Sequence, residues 1–80
     1  MIIHVLAFGI AKEIFESPSV DIELKDAYSA SNLKTVLERK YPELKKLGSY
    51  MIAVNNEYAE DTRLISLKDE VAVIPPVSGG

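Results

Sequence analysis

The stretch that decides the fold is Ala30-Ser-Asn-Leu-Lys-Thr-Val-Leu-Glu-Arg-Lys40. Its apolar residues recur at the spacing of one helix face, and the pattern includes Tyr41 directly after the stretch. These residues are Ala30, Leu33, Val36, Leu37 and Tyr41. Lys34, Glu38 and Arg39 are expected to face water. Ser29 suits the N-cap position, and Pro42 disfavours helical geometry at Tyr41. The pattern therefore predicts one long amphipathic helix that ends near Lys40.

Two strands are predicted before this helix. The run Ile2-Ile-His-Val-Leu-Ala-Phe8 is apolar on both faces, which is typical of a central strand. After Gly9, residues 10–15 predict a short helix. The segment Val20-Asp-Ile-Glu-Leu24 alternates, and it predicts a half-buried strand with Val20, Ile22 and Leu24 inward. The link between the two strands is too short for a full parallel crossover, so an antiparallel pair is expected.

Three further features are predicted after the helix. Pro42 can begin a further helical turn through Leu47, closed by Gly48. Met51-Ile-Ala-Val54 predicts a strand, and Asn55-Asn56 tolerates the positive φ of a tight hairpin that returns through Tyr58. The polar segment 60–70 follows, before a last strand at Glu70-Val-Ala-Val-Ile74. Three apolar residues are expected to anchor that segment: Leu64, Ile65 and Leu67.

One amphipathic helix can cover one face of a mixed sheet of four or five strands. This order of elements predicts an α+β fold of the ubiquitin-like β-grasp type over residues 1–74, with an extended tail at 75–80. A ferredoxin-like sandwich is the alternative, but it requires a second long helix.

Composition limits the possible functions. The 80 residues form one domain, and 48% of them are apolar. The chain has no cysteine and one histidine, His4, so we expect neither a disulfide nor a metal site and no bound cofactor. The net charge is −3, and the basic clusters Arg39-Lys40 and Lys45-Lys46 are mixed with Glu, which argues against nucleic-acid binding. No apolar run is long enough for a membrane span and no basic signal start is present, so a cytoplasmic protein is expected.

The C-terminal tail has the features of an arm that exposes a reactive group to a partner. Its sequence is Ile74-Pro75-Pro76-Val77-Ser78-Gly79-Gly80. The two prolines end strand pairing and favour an extended arm, and the arm narrows to glycines that can enter a channel. Its tip carries an uncovered carboxylate at Gly80. A carboxylate must be activated before it reacts as an acyl group, commonly by ATP as an acyl-adenylate. The alternative interpretation is an ordinary frayed terminus.

The sheet face opposite the helix is a candidate docking surface. If Ile3, Val5, Val71 and Val73 pack on the helix, alternation turns their neighbours to the other side. The outward set is His4, Leu6, Phe8, Ala72 and Ile74. Of these, we expect Leu6, Phe8, Ala72 and Ile74 to form an apolar patch that binds a partner. The alternative is that segment 60–70 or the 10–15 helix covers the patch.

Three segments resemble one known family. The ending Asp69-Glu-Val-Ala-Val-Ile-Pro-Pro-Val-Ser-Gly-Gly80 resembles the C-terminus of the small subunits of molybdopterin synthase. The segment 8–14 and the hairpin Ala53-Val-Asn-Asn-Glu-Tyr58 are similar to further segments of that family. The helix followed by Tyr41-Pro42 also fits, so the resemblance spans the chain. Lys12, Gly9, Ala59 and the turn 68–70 depart from the usual family residues.

The resemblance implies a sulfur carrier that is not an enzyme alone. It implies that a ubiquitin-activating-like adenylyltransferase uses ATP to adenylate Gly80. A cysteine desulfurase or sulfurtransferase then supplies sulfur indirectly, which leaves a thiocarboxylate. The tail residues Pro75, Pro76, Val77, Ser78 and Gly79 would enter the large subunit, in a heterotetramer, and deliver sulfur to cyclic pyranopterin monophosphate.

Three other functions stay open. A thiamine-type sulfur carrier shares the fold and the Gly-Gly ending but typically lacks Pro-Pro-Val-Ser. A ubiquitin-like modifier would join Gly80 to lysines of target proteins. A purely structural interaction module would be indifferent to changes at Gly80.

Overall fold

The computed structural model describes residues 2–25 and 28–76. Its long helix α2, Ala30–Lys40, has the predicted bounds. The backbone N–H of Asn32 donates to Ser29 Oγ, and the Ser29 N–H donates to Asn32 Oδ1, each over 3.1 Å. This reciprocal capping box satisfies two N–H groups at the helix start. The predicted cap at Ser29 is therefore confirmed.

The other predicted elements occur in the predicted order, and two short strands that were not predicted occur among them. Besides α2, the elements are β1 (Ile2–Ala7), α1 (Ile10–Phe15), β2 (Ser19–Glu23), β3 (Tyr28–Ser29), a 3₁₀ helix (Pro42–Leu47), β4 (Met51–Val54), β5 (Glu57–Tyr58), β6 (Leu64–Ile65) and β7 (Val71–Ile74). The two strands that were not predicted are β3 and β6. The turn between β4 and β5 has φ of 53° at Asn55 and 68° at Asn56. Both values are those that a tight hairpin requires, so the predicted hairpin is confirmed.

The main sheet is mixed and has five strands in the order β2-β1-β7-β4-β5. Strand β7 lies at its centre, and the neighbouring β1 is antiparallel to β2 and parallel to β7. Strand β4 is antiparallel to both β7 and β5. With α2 packed on one face, this is the predicted ubiquitin-like β-grasp.

The core lies between the sheet and α2. Leu33 and Leu37 of the helix are fully buried there. The four strand residues that were expected to pack on the helix are buried in the same cluster: Ile3, Val5, Val71 and Val73. The assignment of the two sheet faces is thus confirmed for the central strands.

Several local expectations were wrong. Leu64 and Leu67 are exposed, and only Ile65 anchors segment 60–70 in the core. Ile65 does so through a second, two-stranded sheet, in which β6 pairs with β3. That sheet was not predicted from the sequence.

The polar face of α2 is also less exposed than predicted. Glu38 is half-buried because its carboxylate accepts a hydrogen bond from the Tyr50 hydroxyl. Burial, reinforced by the hydrogen bond to Glu38 and the charge of Glu38, raises the pKa of Tyr50 above its ordinary value. Lys34 is half-buried as well, and its Nζ lies 3.5 Å from Asp61.

The second strand is shifted by one residue from its predicted range, since it begins at Ser19 and ends at Glu23. Ile22 and Leu24 are buried as expected, whereas Val20 is only half-buried against the core. Within residues 2–25 and 28–76, no helix is long and apolar enough to cross a membrane.

Candidate docking site

A shallow groove lies on the sheet face opposite α2. Strand pairing places the side chains of its floor next to one another, since Ala72 pairs with both Leu6 and Ala53, and Ala53 pairs with Tyr58. The groove encloses about 270 Å³. Its lining is Leu6, Phe8, Ala53, Asn56, Tyr58, Glu70, Ala72 and Ile74. We call this surface the docking groove.

The structure brings all four sequence-predicted docking residues together in this groove, at different depths. Phe8 is 50% exposed, and Leu6 and Ile74 are half-buried. Ala72 faces the groove as expected, but its neighbours bury it, so it forms the floor rather than a projecting contact. An apolar concave surface with partly exposed aromatic and aliphatic walls is suited to receive a side chain of a protein partner.

The two segments that were considered as covers are anchored elsewhere. Helix α1 buries Ala11 and Phe15 in the helix-side core, where the Phe15 ring centroid lies 4.5 Å from that of Tyr41. Segment 60–70 is anchored to the same core by Ile65. Of this segment, Glu70 alone among the described residues reaches the groove, at its rim. The groove is therefore open.

His4 faces outward as expected but lies outside the groove. Its ring Nδ1 contacts the carboxylate of Asp21, its partner residue on strand β2. This places a polar pair on the half of the sheet face away from the groove. The pair limits the apolar surface to strands β1, β7, β4 and β5.

A hydrogen-bonded clasp fixes the rim of the groove. The Asn55 side chain donates to Asp69 Oδ1 over 2.9 Å and accepts the Glu70 N–H over 2.9 Å. The Asn55 N–H in turn donates to the Glu70 carbonyl oxygen over 2.8 Å. The second Asp69 oxygen accepts the Ser66 N–H over 2.8 Å. These contacts join the β4–β5 hairpin to the segment before β7.

The clasp also perturbs one carboxyl group. The Ser66 backbone N–H, followed by the Asn55 side chain, holds the pKa of Asp69 below its ordinary value because both donors favour the charged carboxylate. Asp69 is therefore ionised under all near-neutral conditions. The clasp is complete in that state.

The root of the tail lies beside Gly9, at the end of β1. Gly9 has φ of 56° and ψ of −132°, a conformation that residues with a Cβ rarely adopt. A Cβ placed there would lie 3.2 Å from Cγ of Pro75. Pro75 is half-buried, whereas Pro76 is exposed. Gly9 thus leaves room for the proline ring where the chain leaves β7.

The rest of the predicted tail lies outside the described residues. Val77, Ser78 and Gly79, with predicted roles in tail insertion, belong to that part, as does the predicted reactive residue Gly80. Their roles stay predictions. Among residues 2–25 and 28–76, no group of three or more His, Cys, Asp or Glu side chains is placed to hold a metal ion.

Four groove residues were missed by the sequence analysis: Ala53, Asn56, Tyr58 and Glu70. A signal for two of them was present. In a tight hairpin that turns at Asn55-Asn56, Ala53 and Tyr58 face each other on one side of the sheet. Tyr58 is 68% exposed and forms one wall of the groove.

Comparison with known proteins adds four likenesses. The profile of the ThiS family matches residues 5–80. The chain is 33% identical over 79 residues to the molybdopterin synthase sulfur carrier subunit of Arabidopsis thaliana, across 98% of this chain and 82% of the relative. It also resembles two solved structures.

The first structure is small archaeal modifier protein 1 of Haloferax volcanii, with a TM-score of 0.82 and 20% identity over 95% of this chain and 98% of that one. This likeness shows the fold. The second is a chain in the complex of subunits 1 and 2 of the molybdopterin-converting factor of Helicobacter pylori. It has a TM-score of 0.68 and 27% identity over 100% of both chains.

Proposed function

The chain belongs to the ThiS family, and from this premise we propose that it is the sulfur carrier subunit of a molybdopterin synthase. Its relatives of that name match nearly the whole chain. The observation that carries the proposal is the open apolar groove at the root of a Pro-Pro-Val-Ser-Gly-Gly tail. A carrier needs a body that docks and an arm that delivers, and the two adjoin at Ile74.

The first chemical step takes place at Gly80. Its carboxylate attacks the α-phosphate of ATP on an adenylyltransferase partner, which releases pyrophosphate and leaves an acyl-adenylate. A partner's cysteine persulfide then displaces AMP and forms an acyl disulfide. A second thiol cleaves the S–S bond, so that a disulfide remains on the partner and a thiocarboxylate on Gly80. All these thiols belong to partners because the chain contains no cysteine.

The second step is delivery. The docking groove binds the large synthase subunit, and the tail inserts into the active site of that subunit. The thiocarboxylate sulfur bonds to cyclic pyranopterin monophosphate as a thioester, and hydrolysis by water leaves the sulfur on the pterin and returns Gly80 as a carboxylate. Two such transfers complete the dithiolene. The related Helicobacter pylori protein is seen in a complex of subunits 1 and 2 of its converting factor. The chain supplies a carried group rather than a catalytic centre and is not an enzyme alone.

The proposal is tested by extending the tail by one residue after Gly80. The extension moves the carboxylate away from the end of the Gly-Gly arm. We expect ATP–pyrophosphate exchange with the adenylyltransferase to be lost while the thermal unfolding midpoint is unchanged. A residue added before Met1 is the matched control and should leave exchange intact. Normal exchange by the tail-extended protein would contradict the proposal.

The molecule that accepts sulfur from Gly80 distinguishes a molybdopterin carrier from a thiamine-type carrier. A Gly80 thiocarboxylate that sulfurates cyclic pyranopterin monophosphate with the large subunit supports the proposed pathway. Sulfur transfer to a thiazole synthase alone would support the thiamine type. The likeness to small archaeal modifier protein 1, at 20% identity, bears on the fold and not on lysine modification.

A further inference from the structure

We propose that the docking groove accepts a partner that inserts an apolar side chain and places an arginine against the Glu70 carboxylate. This inference rests on the proposed function because the partner to be tested is the large synthase subunit. It adds the chemistry of recognition to that function. The groove supplies the apolar part of the match, and its rim supplies the charged part.

Glu70 is the charged side chain in the lining of the groove. Within residues 2–25 and 28–76, its carboxylate forms no hydrogen bond or ion pair. Arg63 favours the ionised form of Asp69, and among the described residues neither Arg63 nor Lys68 forms an ion pair with Glu70. The carboxylate is thus free to receive a partner's group.

The position of Glu70 is nevertheless fixed. Its N–H donates to Asn55 Oδ1 over 2.9 Å, and its carbonyl oxygen accepts the Asn55 N–H over 2.8 Å. Asn55 is itself held by Asp69. A side chain whose main chain is held on both sides loses less conformational freedom on binding than one on a mobile loop. The clasp therefore presents the carboxylate at one place on the rim.

The cations of the chain are concentrated elsewhere. Five of the nine Lys and Arg residues lie between positions 34 and 46, on α2 and the 3₁₀ helix. These elements pack on the sheet face opposite the groove. These five cations therefore do not neutralise Glu70.

Docking would remove water from the groove and from its rim. A carboxylate that loses water without gaining a partner is strongly unfavourable, so the docked surface must supply a cation or leave Glu70 exposed. Tyr58 lines the same groove and is 68% exposed. A guanidinium group can stack on its ring while it pairs with the carboxylate, which makes arginine a better match than lysine.

The test measures affinity for the large subunit by titration calorimetry. Glu70→Lys should weaken binding by at least about tenfold, because like charges then meet at a desolvated rim. The nearly isosteric Glu70→Gln should weaken it less, but measurably. Glu43→Lys on the 3₁₀ helix makes the same change in net charge on the other face, and we expect an effect within roughly twofold.

A charge reversal in the partner identifies the arginine. One Arg→Glu change in the large subunit should restore binding to Glu70→Lys while weakening binding to the parent chain. Equal losses for Glu70→Lys and Glu43→Lys would show long-range attraction only and would overturn the inference. No loss with either Glu70 variant would also overturn it. Failure of the parent chain to bind at all would instead contradict the proposed function.

Discussion

Gly9 shows how one residue sets the start of the tail. Its φ of 56° and ψ of −132° are accessible to glycine at little cost. Its missing side chain also leaves the space next to the Pro75 ring. From the sequence, Gly9 was recognised as the end of a strand and as a departure from the usual family residue, but not as part of the tail root. The contact with Pro75 was not predictable, because it depends on the parallel pairing of β1 with β7.

Gly9→Ala is expected to destabilise the fold by about 1–3 kcal/mol, from backbone strain and from the 3.2 Å approach to Pro75 Cγ. Chemical denaturation of the free protein measures the change. Gly48→Ala is the control: Gly48 has φ of 78°, but a Cβ there meets no atom within 4 Å, so its cost comes from strain alone.

The contribution of the Pro75 contact can be separated from strain by a double-mutant cycle. Pro75→Ala removes the ring atom that the new Cβ would approach. It should therefore recover part of the stability that Gly9→Ala loses, and none of the stability that Gly48→Ala loses. Additive effects of Gly9→Ala and Pro75→Ala on the free energy of unfolding would show that the Pro75 ring does not clash with a Cβ at position 9.

At the scale of elements, the sequence predicted those helices and turns whose bounds are set by residues within or next to the element. The bounds of α2 follow from a cap at Ser29 and a proline at position 42, and the hairpin follows from Asn55-Asn56. The small sheet of β3 with β6 was missed because each strand has two residues and pairs across more than thirty positions of sequence. The half-burial of Glu38 was missed for a similar reason, since its partner Tyr50 lies beyond the 3₁₀ helix.

Only part of the docking groove was predicted, because local patterns do not reveal which strands are neighbours. Leu6, Phe8, Ala72 and Ile74 follow from alternation within the first and the last strand. Tyr58 and Glu70 required the positions of β4 and β5 beside β7. Strand order is a property of the whole sheet, which alternation within one strand does not reveal.

The clasp between the hairpin and β7 predicts a pH dependence. The pKa of Asp69 is lowered in the folded state, so its stabilising contribution is present above the unfolded value and is lost as the pH falls through the folded pKa. Asp69→Asn should cost about 1 kcal/mol near neutral pH, since the residue is only half-buried and water screens its hydrogen bonds. The difference should shrink in acid below the ordinary value of 3.8.

Urea unfolding of the parent and of Asp69→Asn across this pH range measures the effect. Asp61→Asn provides a control, because Asp61 is an exposed carboxylate whose ion pair with Lys34 spans 3.5 Å on another part of the surface. A difference between parent and Asp69→Asn that stays constant from neutral to acid pH would show that the clasp does not depend on the charge of Asp69.

At the scale of the whole molecule, surfaces of different character lie on opposite sides of the sheet. The segment 34–46 carries five basic and two acidic residues on the helix side. The opposite side holds an apolar groove with an acidic rim. Because segment 34–46 carries a net charge of +3 and the whole chain −3, the rest of the chain carries −6, and Glu70 of that part lines the groove. This asymmetry favours approach of a cationic partner surface toward the groove.

Docking and delivery should be separable, since the groove belongs to the folded body and the reactive end belongs to the tail. Gly79→Val tests the separation. The change leaves the groove untouched, so thermal stability and affinity for the large subunit should stay within roughly twofold of the parent in binding constant. The branched side chain should block entry into a channel that accepts only glycine, and molybdopterin formation from the thiocarboxylated variant should fall by about a hundredfold or more.

Such a variant should also inhibit the parent chain, with an inhibition constant equal to its dissociation constant, because it occupies the same docking surface without delivering sulfur. Gly79→Ala is the graded control, with an intermediate rate at the same affinity. If Gly79→Val instead lost affinity in proportion to rate, the tail would contribute to docking itself, and the division between a binding body and a delivering arm would be wrong.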